Sequence, residues 1–383
     1  MKTCPVCQQD SLVRRGKNRS GSQSFYCKVC AKTRTEGVDY SSVVHTNGYN
    51  PEAGLNWKAP NGLALEKLTH SIYSKDGNTV THYKTKVDQE QKLEALRLAV
   101  DEINKTWRVV KPIKSPLRTN DRQCAVYKIG DPHCGMLSWD KETGDSYDIA
   151  IFEKMHKIGL GLLMGMTPAT RECILFDAGD HFHYDNIYQQ TTRSRNAVDA
   201  ASRFGKMISV GMRAIVDWVE MALRKHEIVH VVLSRGNHDD VLSEATREMV
   251  AIRFHDNPRV KVNLDKSVFA YHRFGSTLFG FTHGNQCKPE KLPSIMANDQ
   301  RDLWGLVTYT VWYFGHFHCE KVIDAGGTIL NQIATLAAQE AYSKAAGYIN
   351  QRAISADVYD VEFGKIGEHR VTSAMIEAHK DYE

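Results

Sequence analysis

Hydrophobic and polar residues follow a regular pattern in this chain from about residue 121 onward. Short apolar runs there predict strands, and longer stretches with one apolar face predict helices. Strands are predicted at 126–129, 173–176 and 228–233, and helices at 148–166, 196–226 and 242–254. Further short strand-like runs lie at 260–264, 268–271, 278–282, 306–313, 328–331 and 358–363. Alternation of strands and helices, followed by several strands, predicts an α/β domain built from layered sheets.

The residues before 121 have a different pattern. Residues 38–70 are rich in Gly, Pro, Asn and Ser, which is typical of a linker. Asp76-Gly77 lies between β-rich flanks and predicts a hairpin, and an apolar stripe over 88–107 predicts an amphipathic helix. The expected organisation is a small module at 1–37, a linker with a hairpin and a helix at 38–120, and a large domain at 121–383.

Four cysteines form two pairs near the N-terminus, Cys4-Pro-Val-Cys7 and Cys27-Lys-Val-Cys30. Each pair offers two sulfurs on one tight turn, and two such turns complete the tetrahedron of a structural zinc ion. A redox dithiol is the alternative, but it needs only one pair. The arrangement resembles the short zinc ribbons at the front of insertion-element transposases and some phage proteins. That resemblance implies contact with nucleic acid, and a ribbon that docks another protein is the alternative.

Charge is unevenly distributed along the chain. The net charge is +4, but residues 1–37 hold eight Lys and Arg against two acidic residues, a balance of +6. This excess favours nucleic acid, DNA above all, as a partner of the ribbon. Nine cysteines, an odd number, suit a reducing compartment better than a disulfide framework. No apolar run resembles a signal peptide or spans a bilayer, so we expect a protein without a membrane partner, in the cytoplasm of a bacterial cell or a phage-infected host.

Five short segments rich in Asp, His and Asn lie at or just after predicted strand ends. They are Asp131-Pro-His133, Gly179-Asp180-His-Phe-His183, Gly236-Asn237-His238-Asp239, Thr282-His283-Gly284 and Gly315-His316-Phe-His318. A single histidine after a strand is more often a loop or core residue than a ligand. Together, however, the segments supply the carboxylate, imidazole and amide groups that hold two divalent first-row cations. Open α/β sheets usually bind ligands at this end of their strands.

In this order the segments resemble the signature of the calcineurin-like metallophosphoesterases over about residues 130–318. The resemblance implies a four-layered αββα sandwich with a two-metal site, and a catalytic role for His238. The first metal would be held by Asp131, His133, Asp180 and His318, and the second by Asp180, Asn237, His283 and His316. Asp180 would therefore bridge the two ions.

These roles also have a physical rationale. Two cations roughly 3.5–4 Å apart can clamp a phosphate and lower the pKa of a water molecule between them, which gives a hydroxide for in-line attack. The bridging ligand must carry negative charge, which Asp180 supplies and an asparagine cannot. A histidine beside the metals, such as His238, can donate a proton. Asp239 is expected either to orient His238 or to begin the helix near Val241 as its N-cap.

The spacing Gly-Asp-x-Phe-His resembles the double-strand-break repair nucleases of the same family, which would make His183 a second catalytic histidine. Cys319-Glu320 departs from that branch, where a proline tends to follow the Gly-His-x-His segment. Nothing in the chain resembles the coiled-coil partner site of those nucleases. Over its whole length, the chain is more similar to phage-encoded metallophosphoesterases with an N-terminal DNA-binding module.

The expected function is therefore that of a hydrolase, a two-metal-dependent phosphodiesterase or nuclease that cleaves nucleic-acid phosphodiester bonds. One alternative is a phosphomonoesterase, acting on proteins or small nucleotides, whose ribbon docks a protein. A catalytically inactive nucleic-acid-binding adaptor is the other, and the intact ligand set argues against it. Manganese is the expected metal of the dinuclear site, with zinc or iron(II) as alternatives, and one structural zinc is expected in the ribbon.

Overall fold

The computed structural model describes residues 3–5, 9–18, 22–30, 32–35, 63–72, 79–87, 112–191, 197–339, 344, 347 and 351–382. Lys32 and the ranges 63–72 and 79–87 are described by their backbone alone. The chain divides into two units, Met1–Gln89 and Glu90–Glu383. The linker residues 38–62, the Asp76-Gly77 turn and the helix predicted over 88–107 lie outside the described residues.

The described residues of the N-terminal unit form two antiparallel sheets. One has three strands, β1 Leu12–Lys17, β2 Gln23–Cys27 and β3 Lys32–Thr35, with β2 in the centre. The other is a hairpin of β4 Leu63–Ile72 and β5 Thr79–Val87, in which Ile72 pairs with Thr79. The predicted hairpin is present but longer than expected. The linker interpretation is wrong from Leu63 onward, where the backbone forms strand β4 and pairs with β5.

A six-stranded sheet forms one layer of the C-terminal unit. Its strands are β6 Asn120–Ile129, β7 Thr170–Asp177, β8 Ile228–Leu233, β9 Val260–Val262, β15 Ala353–Asp360 and β16 Gly364–Thr372. The strand order is β16-β15-β6-β7-β8-β9. Strands β6 to β9 are parallel, whereas β15 runs antiparallel to both of its neighbours. The carboxyl ends of β6, β7 and β8 therefore lie at the same edge.

A five-stranded sheet forms a second layer. Its strands are β10 Ala270–Phe274, β11 Thr277–Thr282, β12 Tyr309–Phe314, β13 Lys321–Ala325 and β14 Thr328–Gln332. The strand order is β10-β11-β12-β14-β13. The three central strands are parallel, and the edge strands β10 and β13 are antiparallel to them. This sheet is therefore mixed, as the late run of strands in the sequence indicates.

Among the described residues of the C-terminal unit, the α-helices are α1 Asp140–Thr143, α2 Ile149–Met166, α3 Phe204–Lys225, α4 Asp240–Arg253, α5 Leu292–Asp299, α6 Arg301–Trp304 and α7 Ser373–Glu377. Asp148 caps α2 by accepting a hydrogen bond from the Ile151 N–H group. Helix α3 begins later than predicted because the preceding backbone pairs with loops, as when Ala201 N–H donates to the Gly135 carbonyl. Within the described part of the chain, no helix is both long and apolar enough to cross a membrane.

Three apolar cores separate four layers. Helices α2, α3 and α4 share a core with one face of the six-stranded sheet, and its other face packs against the five-stranded sheet. Helix α5 covers the far side of the five-stranded sheet. Representative residues of the three cores are Leu175 with Val219, Phe176 with Phe281, and Trp312 with Met296. The αββα sandwich expected from the sequence is confirmed.

Candidate metal centre

Loops at the carboxyl ends of five strands carry all the candidate site residues of the large domain. Asp131 and His133 follow β6, Asp180 and His183 follow β7, Asn237 and His238 follow β8, His283 follows β11, and His316 and His318 follow β12. Strands β6 to β8 are parallel in one sheet, and β11 and β12 are parallel in the other. Their loops meet at one edge of the sandwich, as the contacts below show.

Five of these residues have backbone in the left-handed region, which residues other than glycine rarely adopt. The φ angles are 35° for Asp131, 46° for His133, 49° for Asp180, 70° for His316 and 54° for His318. Each such conformation costs on the order of 1–3 kcal/mol and persists only where the surroundings enforce it. Their concentration in one set of loops indicates that side-chain direction matters there more than local backbone energy.

Two glycines let these loops approach the carboxylates closely. A Cβ atom at Gly236 would lie 1.9 Å from Asp180 Oδ1, and one at Gly315 would lie 2.1 Å from Asp131 Oδ1. Because Gly236 has no side chain, the backbone after it can reach the carboxylate, and His238 N–H donates to Asp180 Oδ1 at 2.8 Å. Any larger residue at Gly236 or Gly315 would displace a candidate ligand.

The first predicted ligand group is assembled around Asp131. His318 Nε2 lies 3.2 Å from Asp131 Oδ2 and 3.0 Å from His133 Nε2. The backbone N–H of His316 donates to the same Asp131 oxygen at 2.6 Å. Atoms bound to one first-row cation lie roughly 3 Å apart, since each bond is about 2.0–2.2 Å long. The spacing of these three side chains is therefore that of ligands to a common ion.

The second group is assembled around His283. Its Nε2 atom lies 3.1 Å from both Asp180 Oδ2 and Asn237 Oδ1. The ligand atoms of Asp180, His283 and His316 all lie within 4.8 Å of one another. His283 Nδ1 lies 3.8 Å from Asp131 Oδ1, so the two groups are adjacent. All seven predicted ligands are brought together.

The donor set fits divalent first-row cations. Buried Asp131 Oδ1 takes part in no hydrogen bond with the residues that the structure describes. Burying a carboxylate oxygen without a hydrogen bond destabilises the folded chain, and a cation bound to that oxygen would offset the destabilisation. Imidazole, carboxylate and amide donors suit manganese, iron or zinc, whereas calcium and magnesium take oxygen ligands.

Asp180 and His283 form a buried ion pair. Burial opposes the charged form of both groups, but the attraction of His283 holds the pKa of Asp180 well below its ordinary value. Burial alone would lower the pKa of His283. The negative charges of Asp180 and Asp131 outweigh this effect and raise the pKa of His283 to about 10. The carboxylates therefore already face a positive charge, and a metal ion would compete with a proton for the same imidazole nitrogen.

The two candidate catalytic histidines differ in exposure. His183 is 0% exposed, and its Nδ1 lies 3.2 Å from His133 Nδ1. Its ring stacks against His238, with centroids 5.6 Å apart. His238 is partly exposed, and its Nδ1 lies 2.9 Å from the carbonyl oxygen of His183. Of the two, only His238 has surface open to a substrate.

Asp185 caps helix α4 in place of Asp239, which is the residue that the sequence suggests as a possible N-cap. Asp239 occupies the N-cap position of α4, but its carboxylate accepts hydrogen bonds from the N–H groups of Gly236 and Phe182, both at 3.1 Å. Asp185 supplies the cap instead, accepting from the first turn of α4 at 2.7 Å and 3.0 Å. Burial, with the charge of Asp180, raises the pKa of Asp239 to about 6. Asp239 thus connects the loops after β7 and β8 in the candidate metal centre, a role that no local pattern indicates.

Three of the four predicted zinc ligands lie together in the ribbon. The sulfurs of Cys4, Cys27 and Cys30 lie within 4.8 Å of one another, and those of Cys4 and Cys30 are 3.7 Å apart. Sulfurs on a tetrahedral zinc lie roughly 3.8 Å apart, because each bond is about 2.3 Å long. Arg34 donates to Cys30 Sγ at 3.3 Å, and Cys30 N–H donates to Cys27 Sγ at 3.4 Å. Cys7 lies outside the described residues.

Comparison with known proteins gives matches among solved structures alone, since no protein-family model and no curated protein matches the chain. A conserved uncharacterised protein of Streptococcus pneumoniae, described as a predicted phosphoesterase, matches over 65% of this chain and 98% of its own, at 9% identity and a TM-score of 0.26. Vps29 of Entamoeba histolytica, solved with zinc, matches over 65% and 98%, at 13% identity and a TM-score of 0.28. An archaeal phosphodiesterase matches over 65% and 99%, at 12% identity and a TM-score of 0.31. Scores of this size establish neither fold nor activity, which rest on the layers and the site described above.

Proposed function

We propose that this chain is a metal-dependent phosphodiesterase that hydrolyses nucleic acid, with manganese as the activating metal. The observation that carries the proposal is the convergence of seven ligand-type side chains, in two adjacent groups, beside a partly exposed histidine. Two divalent cations held there would clamp a phosphate and activate water for attack on phosphorus. An adaptor without activity would have no need of the complete ligand set.

His238 is the proposed proton donor to the leaving oxygen. Its Nδ1 atom lies 2.9 Å from the carbonyl oxygen of His183, which can only accept a hydrogen bond. Nδ1 therefore carries a proton, and Nε2 is the nitrogen that exchanges one. His183 is proposed as a positioning residue, because its buried ring packs against both His133 and His238. This role differs from direct proton transfer, which would require an open face.

Nucleic acid is the proposed substrate because the ribbon presents cations beside an aromatic ring. Arg14, Arg15, Lys17 and Lys28 are exposed, and the Arg15 guanidinium lies 4.6 Å from the centre of the Tyr26 ring. Phosphate contacts from Lys and Arg, and stacking of bases on aromatic rings, are the two general sources of affinity for nucleic acid without sequence preference. The ribbon offers both kinds of group.

A substrate panel tests the proposal. Purified full-length protein with manganese is assayed against single-stranded DNA, duplex DNA, RNA, a phosphodiester dye and a phosphomonoester dye. We expect cleavage of nucleic acid and of the diester dye, and loss of both activities in Asp180→Asn, which also excludes a contaminating nuclease. Hydrolysis of the monoester dye without any diester cleavage would contradict the proposal.

A phosphomonoesterase whose ribbon docks a protein is the second candidate. The complete burial of His183 favours it, because the resemblance to the repair nucleases implies a catalytic histidine at this position, and a buried ring has no face open to a substrate. The two candidates separate in His183→Asn. If His183→Asn loses diester-dye hydrolysis and nucleic-acid cleavage to the same extent, the nuclease is supported. If its turnover of the monoester dye is unchanged, the phosphatase is supported.

A further inference from the structure

A second cluster of potential ligands lies away from the candidate metal centre. It consists of Glu172 on β7, His230 on β8 and His272 on β10, whose ligand atoms all lie within 4.8 Å of one another. A strand rises about 3.3 Å per residue, so Glu172 lies roughly 17 Å before Asp177, where β7 ends and the loops of the metal centre begin. The cluster is therefore a separate feature of the sandwich.

The cluster links the two sheets. Side chains alternate along a strand, so His230 shares a strand face with Val232, and His272 shares one with Phe274. Val232 and Phe274 both belong to the apolar core between the sheets. Glu172, on β7 beside β8, lies next to both histidines. Three polar groups on three strands thus replace apolar side chains at one level of the core between the sheets.

The distances are those of ligands that surround one ion. His230 Nε2 lies 3.0 Å from Glu172 Oε2, and His272 Nε2 lies 4.0 Å from the same oxygen. The two imidazole rings are 4.2 Å apart, centre to centre, and tilted by 52°. Ligand atoms around a tetrahedral zinc lie roughly 3.3–3.5 Å apart, between the two observed distances. Small side-chain rotations would equalise them.

His272 has an unsatisfied nitrogen directed at this cluster. Its Nε2 atom is covered and takes part in no hydrogen bond with any residue in the described part of the chain. Burial, together with the charge of His230, lowers the pKa of His272 to about 4, so its ring is neutral at pH 7. The hydrogen bond from His230 is the main reason that the pKa of Glu172 is lowered. A neutral imidazole and an ionised carboxylate are the forms that bind metals.

We propose that Glu172, His230 and His272 form a further metal site, for a divalent first-row cation such as zinc, which joins the two sheets. Two imidazoles and one carboxylate are a recurrent zinc ligand set that leaves one position open. The histidine side chains are 20% exposed and that of Glu172 is 28% exposed, so water can supply the fourth ligand. Magnesium and calcium need more oxygen ligands than this cluster offers.

Bound zinc per chain tests the site directly. Full-length wild type and the His230→Asn/His272→Asn double variant are stripped with chelator, dialysed against zinc and measured by elemental analysis. We expect one zinc ion fewer per chain in the double variant. His255→Asn makes the same substitution at an exposed histidine and should leave the zinc content at the wild-type value. Circular dichroism establishes that each variant is folded.

A stability measurement gives a second readout that depends on the location of the metal. A cation that binds the folded chain and not the unfolded chain raises the unfolding midpoint. We expect zinc to raise the midpoint of Asp180→Asn, whose dinuclear centre is impaired, and to raise it less when Glu172→Gln is added. Magnesium should have no such effect. Equal zinc content in wild type and the double variant, or an equal zinc-induced shift with and without Glu172→Gln, would overturn the proposal.

Discussion

Asp180 connects the loops of the candidate metal centre through both carboxylate oxygens, one 3.1 Å from His283 Nε2 and the other accepting from His238 N–H at 2.8 Å. We expect Asp180→Asn to abolish hydrolysis and to lower bound manganese. An amide keeps the shape of the side chain, but it cannot offset the charge of two cations. Asp199→Asn, the same change at an exposed carboxylate, should retain both. Normal manganese content in Asp180→Asn would exclude Asp180 as a bridging ligand.

His238→Asn should separate chemistry from metal binding. Loss of a general acid lowers turnover by roughly 10²–10⁴-fold. We expect a decrease of that size, with KM and metal content close to the wild-type values, in steady-state kinetics with the diester dye. His183→Asn should lower turnover by less and shift the pH profile, because it acts through the ring of His238. An unchanged rate for His238→Asn would remove it from the reaction.

The convergence of the candidate metal ligands could be expected from the sequence, because each lies in a short segment with its own Gly, Asp or His signature. The contacts of Asp185 and Asp239 could not be expected. Asp185 caps α4 across 57 positions in the chain, and Asp239 accepts from Phe182 across another 57. A carboxylate's partner at such a distance depends on which loops meet, and local sequence does not contain that information.

Gly236 shows how one loop depends on the absence of a side chain. We expect Gly236→Ala to lower activity roughly 10²-fold, because a Cβ atom 1.9 Å from Asp180 Oδ1 must displace that carboxylate. Gly161→Ala is the matched control. Gly161 lies in α2, a Cβ there meets no described atom within 4 Å, and the change should stabilise the helix by about 0.5–1 kcal/mol. Full activity in Gly236→Ala would show that the loop can adapt.

In the large domain the interior strands were predictable, whereas two of the four edge strands, β13 and β16, were not. Ile228–Leu233 matches its predicted bounds, because a run that is apolar except for His230 is typical of a strand in a parallel sheet. Strands β13 and β16 have no clear strand pattern in their sequences. Most of their residues are exposed or half-buried, so their apolar and polar positions do not alternate. These two strands gain their structure from backbone pairing with a neighbour, which their sequence pattern does not reveal.

Buried histidines should make the large domain sensitive to acid. The ring of His226 is buried, with Nε2 2.8 Å from the Tyr127 hydroxyl and Nδ1 2.7 Å from Thr170 Oγ1, and burial lowers its pKa to about 4. In the unfolded chain His226 has the ordinary histidine pKa of about 6.5, so it takes up a proton at a higher pH there than in the folded chain. Stability contributed by neutral His226 is therefore complete above about pH 6.5 and falls as the pH decreases toward 4, by at most about 1.4 kcal/mol per pH unit.

Urea unfolding at a series of pH values measures this effect. We expect the free energy of unfolding to decrease between about pH 7 and pH 5 in the wild type. His226→Gln keeps a polar group but cannot titrate, so its decrease should be shallower. Equal slopes for the two proteins would mean that other groups control the acid response.

The four-layered arrangement could be predicted only through the family resemblance, whereas the cluster of Glu172, His230 and His272 could not be predicted at all. Its residues lie in three strands without any motif, and two of those strands belong to one sheet and the third to the other. Recognising them requires knowledge of which strand faces pack together. Periodicity places a side chain on a face, but the partner of that face is a property of the whole sandwich.

The exposed basic residues of the ribbon should determine how affinity for nucleic acid depends on salt. Each phosphate contact adds about 0.9 to the negative log–log slope of affinity against salt on duplex DNA. The triple variant Arg15→Gln, Lys17→Gln and Lys28→Gln should therefore bind DNA more weakly, with a slope reduced by up to about 2.7. Its zinc content and its hydrolysis of a diester dye should match the wild type, since these side chains are exposed on the ribbon.

The matched control neutralises three exposed lysines of the large domain, Lys261, Lys291 and Lys380. It has the same change in net charge, so a general electrostatic effect would weaken both variants equally. Fluorescence titration of duplex DNA at several salt concentrations distinguishes the two cases. A wild-type slope in the ribbon variant, with a loss confined to the control, would place the nucleic-acid contact on the large domain. The ribbon would then serve to dock a protein, because its charge would have no phosphate to meet.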